Sequence, residues 1–175
     1  MTAGPVTRAQ LLELFNAFER SAWRIEAQPS YDLDYEAEEF GRFRMGRPTP
    51  PPQVEWWQSW LSRVRDLRAQ GKTIGRVRVL DEPPTEYQAW QAFALPWHAE
   101  AGERIVCLTW SQAQAAGMRR LDGWLFDDRL LVTMRFVQPG SPASMTLISD
   151  DKIVAQYAAW RDLAIRTADA VKATA

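Results

Sequence analysis

The stretch Gly123–Phe136, GWLFDDRLLVTMRF, constrains this chain most, because two apolar runs flank an acidic break and can hardly be read except as a β-hairpin. Trp124, Leu125 and Phe126 form the first run, Asp127, Asp128 and Arg129 the turn, and Leu130 to Phe136 the second. Aspartates at a turn commonly bond nearby backbone. The plain turn is therefore the first reading, with Asp127 and Asp128 kept as candidate ligand or partner contacts.

A chain that contains a hairpin needs further strands to cover it. Thr73 to Leu80, TIGRVRVL, alternates Arg76 and Arg78 with Val77 and Val79, so a strand here would show both arginines on one face. They are candidate anion contacts, or else ion-paired or solvent-facing residues. Glu103 to Trp110 is a second strand, expected to be central because Ile105 to Leu108 is continuously apolar. With the hairpin and Ala143 to Ser149, that makes a mixed sheet of about five strands, with a turn expected at 138–141.

Helices fill the intervals. Thr7 with Gln10 fits a capping box, and Leu11, Leu14, Phe15 and Phe18 recur at helical spacing, predicting an amphipathic helix over 8–22. Its polar end, FERSAWRIE, reads as an exposed ion-pair network. An acidic loop or short helix follows, and residues 47–53, RPTPPPQ, read as a stiff extended linker. Val54, Trp57, Leu61, Val64 and Leu67 mark the next helix, capped at Gly71. Thr85 with Gln88 caps another over 86–94, ended by Pro96, and Ser111 to Gly117 suggests short helical turns. Ile153, Tyr157, Trp160 and Ala164 mark a long final helix with Arg161 turned away from the stripe. The fold class is α/β (α+β), with helices flanking the sheet. Residues 1–52 form an N-terminal helical lobe with a Pro-rich linker, and 53–175 the α/β core.

Composition narrows function mainly by exclusion. The net charge of −1 speaks against direct nucleic-acid binding by the whole molecule, although 42–78 is rich in arginine. The single cysteine, Cys107, permits no intrachain disulfide and suits a reducing compartment. No apolar run approaches membrane length and no signal-peptide core opens the chain, so a cytoplasmic location is expected. His98, the single histidine, has no Cys or His at ligand spacing, so no metal site is expected. Phosphate-cradling, dinucleotide and nucleophile-elbow motifs are missing, and no cofactor is implied. Nine tryptophans bring large apolar area, and a Trp-rich face left exposed would suit a homodimer.

The segments Phe18–Glu26, Gly71–Tyr87, Ala101–Ile105, Gly123–Phe136 and Ala159–Ala164 together resemble an uncharacterised actinobacterial domain family, from about Leu11 to Ala168. The resemblance implies a regulatory role, since members are often encoded beside helix-turn-helix regulators and their small companion proteins. The chain departs from it in the Pro-rich insert and the extra tryptophans. A weaker likeness is to the phospholipase D-type half-domain, whose hairpin carries an acidic turn like Phe126-Asp127-Asp128. That family needs a His followed two residues later by Lys, whereas Ala99 and Glu100 follow His98. The first expectation is therefore a non-enzymatic regulatory or binding module for a partner protein or small ligand, with Asp127, Asp128, Arg76, Arg78, Tyr87, Trp124 and His98 as candidate contacts. The alternative is a divergent phosphodiesterase or nuclease-like enzyme, which requires His98 and the acidic pair in one concave pocket.

Overall fold

The computed structural model describes residues 3–138 and 141–173. The chain opens with a two-residue strand β1 (Gly4–Pro5) and helix α1 (Arg8–Ala17), which starts on the Thr7–Gln10 capping box. Strand β2 (Ser21–Glu26) follows, then α2 (Ala37–Arg44) and α3 (Glu55–Ala69). Strand β3 (Thr73–Leu80) leads into α4 (Glu86–Phe93), α5 (Leu95–Ala101), β4 (Arg104–Thr109) and α6 (Trp110–Ala115). The hairpin is β5 (Asp122–Phe126) and β6 (Leu130–Gln138), and β7 (Ser141–Ile148) and α7 (Asp151–Ala173) close the chain. The turn expected at 138–141 centres on residues 139 and 140, outside the described residues.

The sheet is mixed α/β, as expected, but has seven strands rather than about five, in the order β1-β7-β6-β5-β2-β3-β4. Strands β2, β3 and β4 run parallel, and β5 pairs antiparallel with β2. The most consequential addition is β2, which replaces the polar end of the predicted first helix. The residues Ala22-Trp23-Arg24-Ile25-Glu26 alternate in side-chain direction, and ladders with β3 and β5 satisfy both edges of the strand. Arg24 and Glu26 are consequently 6% and 8% exposed, not members of a surface ion-pair network.

Strand β4 lies at the sheet's edge rather than its centre. Only Val106 and Leu108 of its apolar run are buried, beneath the neighbouring helices. Helix α4 ends at Phe93, as expected ahead of Pro96, and Pro96 itself sits in the first turn of a further helix, α5, where its missing N–H has no intrahelical partner to lose. Pro51–Gln53 forms a 3₁₀ turn with Pro51 buried, because proline's fixed φ serves that geometry as well as an extended one. On α7, Ile153 is 43% exposed and Val154 takes the buried place, while Arg161 is packed down at 8% exposure rather than turned outward.

Two apolar layers cover the sheet. On one face Trp23, Ile25, Val77, Val79 and Leu131 pack against Val154, Tyr157, Trp160 and Ala164 of α7 and Ala113 of α6. Trp23 lies over Gly75, its cross-strand neighbour, where a Cβ would come within 2.6 Å of the indole. On the other face Ala22, Ile74, Trp124, Phe126 and Val132 pack against Phe15 of α1 and Leu61, Val64 and Leu67 of α3. A third cluster joins Val54 and Trp57 to Tyr87, Trp90 and Ala94 of α4.

Candidate functional site

The α1/α3 face of the sheet is apolar at one end and ionic at the other. Parallel pairing sets Arg24 beside Arg76 and Glu26 beside Arg78, and the twofold period of a strand aims all four side chains to that face. Glu26 accepts from Arg76 Nη1 at 2.6 Å and Arg78 Nε at 2.9 Å, with Arg24 Nε at 3.9 Å. Arg76 Nε also donates to Glu103 at 2.6 Å, and Arg24 Nη2 to Asp122 at 2.8 Å. Three guanidiniums and three carboxylates thus form one row across four adjacent chain segments. The two arginines expected on one face of a strand are there, and they are ion-paired.

Burial alone would raise the Glu26 carboxyl, but Arg76, Arg78 and Arg24 overcome it and hold the pKa at about 2. Glu103 is likewise pulled far below the usual carboxylate range: burial opposes, while Arg76 and hydrogen bonds from His98 and Trp60 prevail. Asp122, fully buried, also accepts from the N–H of Ala27, from Gln28 and from the Tyr31 hydroxyl at 2.5 Å. The burial of Tyr31 and the nearby Asp122 carboxylate keep that phenol protonated.

His98 joins the row through Glu103. The Trp57 indole N–H donates to its Nε2 at 3.0 Å, which leaves the proton on Nδ1, 2.5 Å from Glu103 Oε2. Trp60 Nε1 donates to the same oxygen at 2.8 Å. Burial pushes the pKa of His98 below its ordinary value although Glu103 opposes this, so the ring is a neutral hydrogen-bond bridge. Both nitrogens are engaged, and neither is free to attack an electrophile. Trp124 packs on the same row, 5.9 Å from the Arg24 guanidinium and 5.7 Å from that of Arg76. Tyr87 lies next to it, in the aromatic cluster with Tyr31, Phe40 and Trp90, and donates its hydroxyl to Glu36 at 2.5 Å. Burial raises Glu36 to about 7, against the Tyr87 hydrogen bond.

The acidic turn belongs to a different place. Asp127 and Asp128 both adopt positive φ, 53° and 57°, as a tight hairpin turn requires. The Asp127 carboxylate does not bond its own strand. It accepts the backbone N–H groups of Glu19, Arg20 and Ser21 at 2.7 to 2.8 Å, thereby tying the hairpin tip to the entry of β2. Asp128 is held in a forked pair by Arg161, which also reaches Asp162. The register puts Asp127 beside Ser21 and Glu103 next to the start of β4, three strand spacings or about 14 Å across the sheet. Arg76, Arg78, Trp124, His98 and Tyr87 are therefore brought together or made neighbours, and Asp127 and Asp128 stand apart.

Sequence reasoning missed Glu26, Glu103, Asp122 and Arg24 as parts of this arrangement. The strict alternation Trp23-Arg24-Ile25-Glu26 was the available signal for the first strand carboxylate. Nothing local marks Asp122 or Glu103, whose roles come from strand neighbours distant in sequence. Cys107 sits on β4 with its thiol pushed up by burial, which disfavours the nucleophilic thiolate. Among the described residues no group of three or more His, Cys, Asp or Glu could hold a metal ion, and no helix is long and apolar enough to cross a membrane.

The open depressions among the described residues include two of note. One, of about 310 Å³, is lined by Phe15, Asn16, Arg63, Asp66 and Lys72 among others. The second, of about 380 Å³, lies between the segment 117–121 and the start of α7.

A family model described as a domain of unknown function (DUF6879) matches residues 9–173. No curated protein matches the chain.

Proposed function

The chain belongs to the DUF6879 family, and from the geometry it gives that domain we propose a non-enzymatic regulatory or binding module that acts on a partner protein. A helix-turn-helix regulator or its small companion is the partner class that the sequence resemblance implies. The observation that carries the reading is the state of His98: neutral, buried and hydrogen-bonded at both ring nitrogens. The carboxylates that could assist it are ion-paired, and the acidic turn is engaged in holding backbone. A phosphodiesterase needs a nucleophile that can reach phosphate. Here the groups of the right chemistry are engaged in holding the sheet to its helices.

The test is affinity capture with the tagged full chain from its native cytoplasm, with identification of retained proteins by mass spectrometry, alongside an assay with bis(p-nitrophenyl) phosphate. Stoichiometric recovery of a helix-turn-helix regulator or its companion, without phosphodiester hydrolysis, is the expected result. Hydrolysis that disappears in a His98→Gln variant would overturn it.

A further inference from the structure

Among the described residues five large hydrophobic side chains are exposed, and two of them, Leu121 and Ile153, converge on the 380 Å³ depression. Its floor is aromatic, lined by the buried Tyr157 and Trp160 of α7. The floor is also fixed: Trp160 Nε1 donates to the carbonyl of Ala116 at 3.1 Å, tying α7 to the segment that forms the opposite wall. A preformed apolar concavity of this kind takes a large side chain without first reorganising.

The rim supplies the sign of the partner. The charged side chains that line the depression are Arg119 and Lys152, both exposed, and neither makes an ion pair among the described residues. Of the two acidic residues at the helix start, Asp150 is turned to the N–H groups of Lys152 and Ile153, and Asp151 is exposed but does not line the depression. Arg24, Arg76, Arg78, Arg104, Arg120 and Arg161 meet carboxylates, whereas other exposed cations such as Arg65 and Arg129 also make no ion pair among the described residues, so what sets Arg119 and Lys152 apart is their place beside the apolar lining. Two unmatched cations bracketing an apolar floor complement carboxylates that bracket an apolar anchor.

We propose that this depression is the docking surface for an acidic segment of a partner protein, which seats a large aliphatic or aromatic side chain against Leu121, Ile153 and Trp160 while flanking carboxylates meet Arg119 and Lys152. The proposal rests on the reading of the chain as a binding module and assigns that module its contact face. It also moves the contact away from the Asp127-Asp128 turn.

A fluorescein-labelled synthetic peptide with a Leu-Phe-Leu centre between pairs of Glu is the probe, followed by fluorescence polarisation against the full chain at low salt. Saturable binding is expected, weakened roughly tenfold or more by Ile153→Glu and by the double change Arg119→Glu/Lys152→Glu. The same centre flanked by Lys should bind at least about tenfold more weakly. Leu12→Glu, at an exposed leucine on α1, should leave affinity unchanged. All substituted side chains are exposed, and circular dichroism checks that each variant is folded. Failure of the acidic peptide to saturate, equal binding of the Lys-flanked peptide, or undiminished binding by Ile153→Glu would overturn the proposal. So would self-association in the ultracentrifuge that Ile153→Glu abolishes, since a second copy would then be the occupant. Regulator capture that survives Ile153→Glu would remove this face and leave the module standing, whereas loss of both capture and peptide binding in the wild-type chain would remove both.

Discussion

Replacing Glu26 with Gln keeps the shape of the side chain and removes the charge at the centre of the buried row. Glu26 is the shared acceptor of Arg76 and Arg78 and lies 3.9 Å from Arg24, so the variant leaves three guanidiniums facing two remaining carboxylates at low exposure. Removing one partner of a buried ionic network costs about 3–5 kcal/mol, because the opposite charges stay desolvated. An independent route gives a similar size. A carboxyl lowered from 4.5 to about 2 by folding contributes about 3 kcal/mol at neutral pH. For a chain of this length that loss lowers Tm by roughly 6–12 °C, and a native protein with about 5–15 kcal/mol of stability survives it.

Equilibrium urea unfolding of both proteins, followed by circular dichroism, measures the difference directly. The urea midpoint should fall with an unchanged slope. The pH dependence provides the sharper check. A depressed folded-state pKa means that the contribution is complete above 4.5 and disappears as pH falls toward 2, so the gap between wild type and Glu26→Gln should narrow over that window. A difference below about 0.5 kcal/mol at pH 7 would refute the reasoning, since that is the range of ordinary surface changes. A gap that stays constant as pH falls below 4.5 would refute the electrostatic cause even if the variant is unstable.

Asp127→Ala removes the acceptor of three backbone N–H groups and should destabilise by about 2 kcal/mol; amide exchange at Glu19, Arg20 and Ser21 should accelerate ahead of the sheet, and unchanged exchange there would show the tie to be unimportant. Burial raises Glu36 to about 7, so the native state binds its proton more tightly than the unfolded chain, and wild type loses this contribution as pH rises from 4.5 through 7. Glu36→Gln should therefore gain stability relative to wild type between pH 5 and pH 8, and parallel stability profiles over that range would contradict it. Long-range ¹H–¹⁵N NMR should find His98 neutral with its proton on Nδ1. Its lowered pKa makes the protein lose stability as pH falls below 6.5, and an imidazolium signal at pH 6.5 would be incompatible with the bridge from Trp57 to Glu103.

The sequence was most legible where local rules act alone. The hairpin and its turn, the capping boxes at Thr7 and Thr85, and the buried stripe Trp57-Leu61-Val64-Leu67 on α3 all follow from turn chemistry and periodicity. It was least legible where a partner strand decides. Charged residues in Ser21–Glu26 favour an exposed helix on local grounds, and only ladders from β3 and β5, together with Arg76 and Arg78, make a central strand the better state. The position of β4 failed for the complementary reason. A continuously apolar run suggests cover on both faces, yet at the edge Val106 and Leu108 are buried while Ile105 and Cys107 are only half-buried. Of the candidate contacts, Arg76 and Arg78 were legible from alternation, whereas the separation of Asp127 from His98 depends on strand order, which no local pattern encodes.

That separation also explains how one sheet can be dense in charge and still present a quiet surface. The β2–β3 pairing sets the arginines of one strand opposite the residues that bring or adjoin their carboxylates, so the ionic side chains satisfy one another before solvent or ligand can. A buried row of this kind contributes specificity of register, since sliding β2 by one residue against β3 would turn Arg24 and Glu26 into the apolar layer beneath α7. On the proposed reading, contact with a partner is left to groups outside the row. Arg119 and Lys152 are such groups, and they stand beside two of the most exposed aliphatic side chains. Charge paired inside the sheet, together with cations beside an apolar depression, is the basis on which the proposed docking face rests.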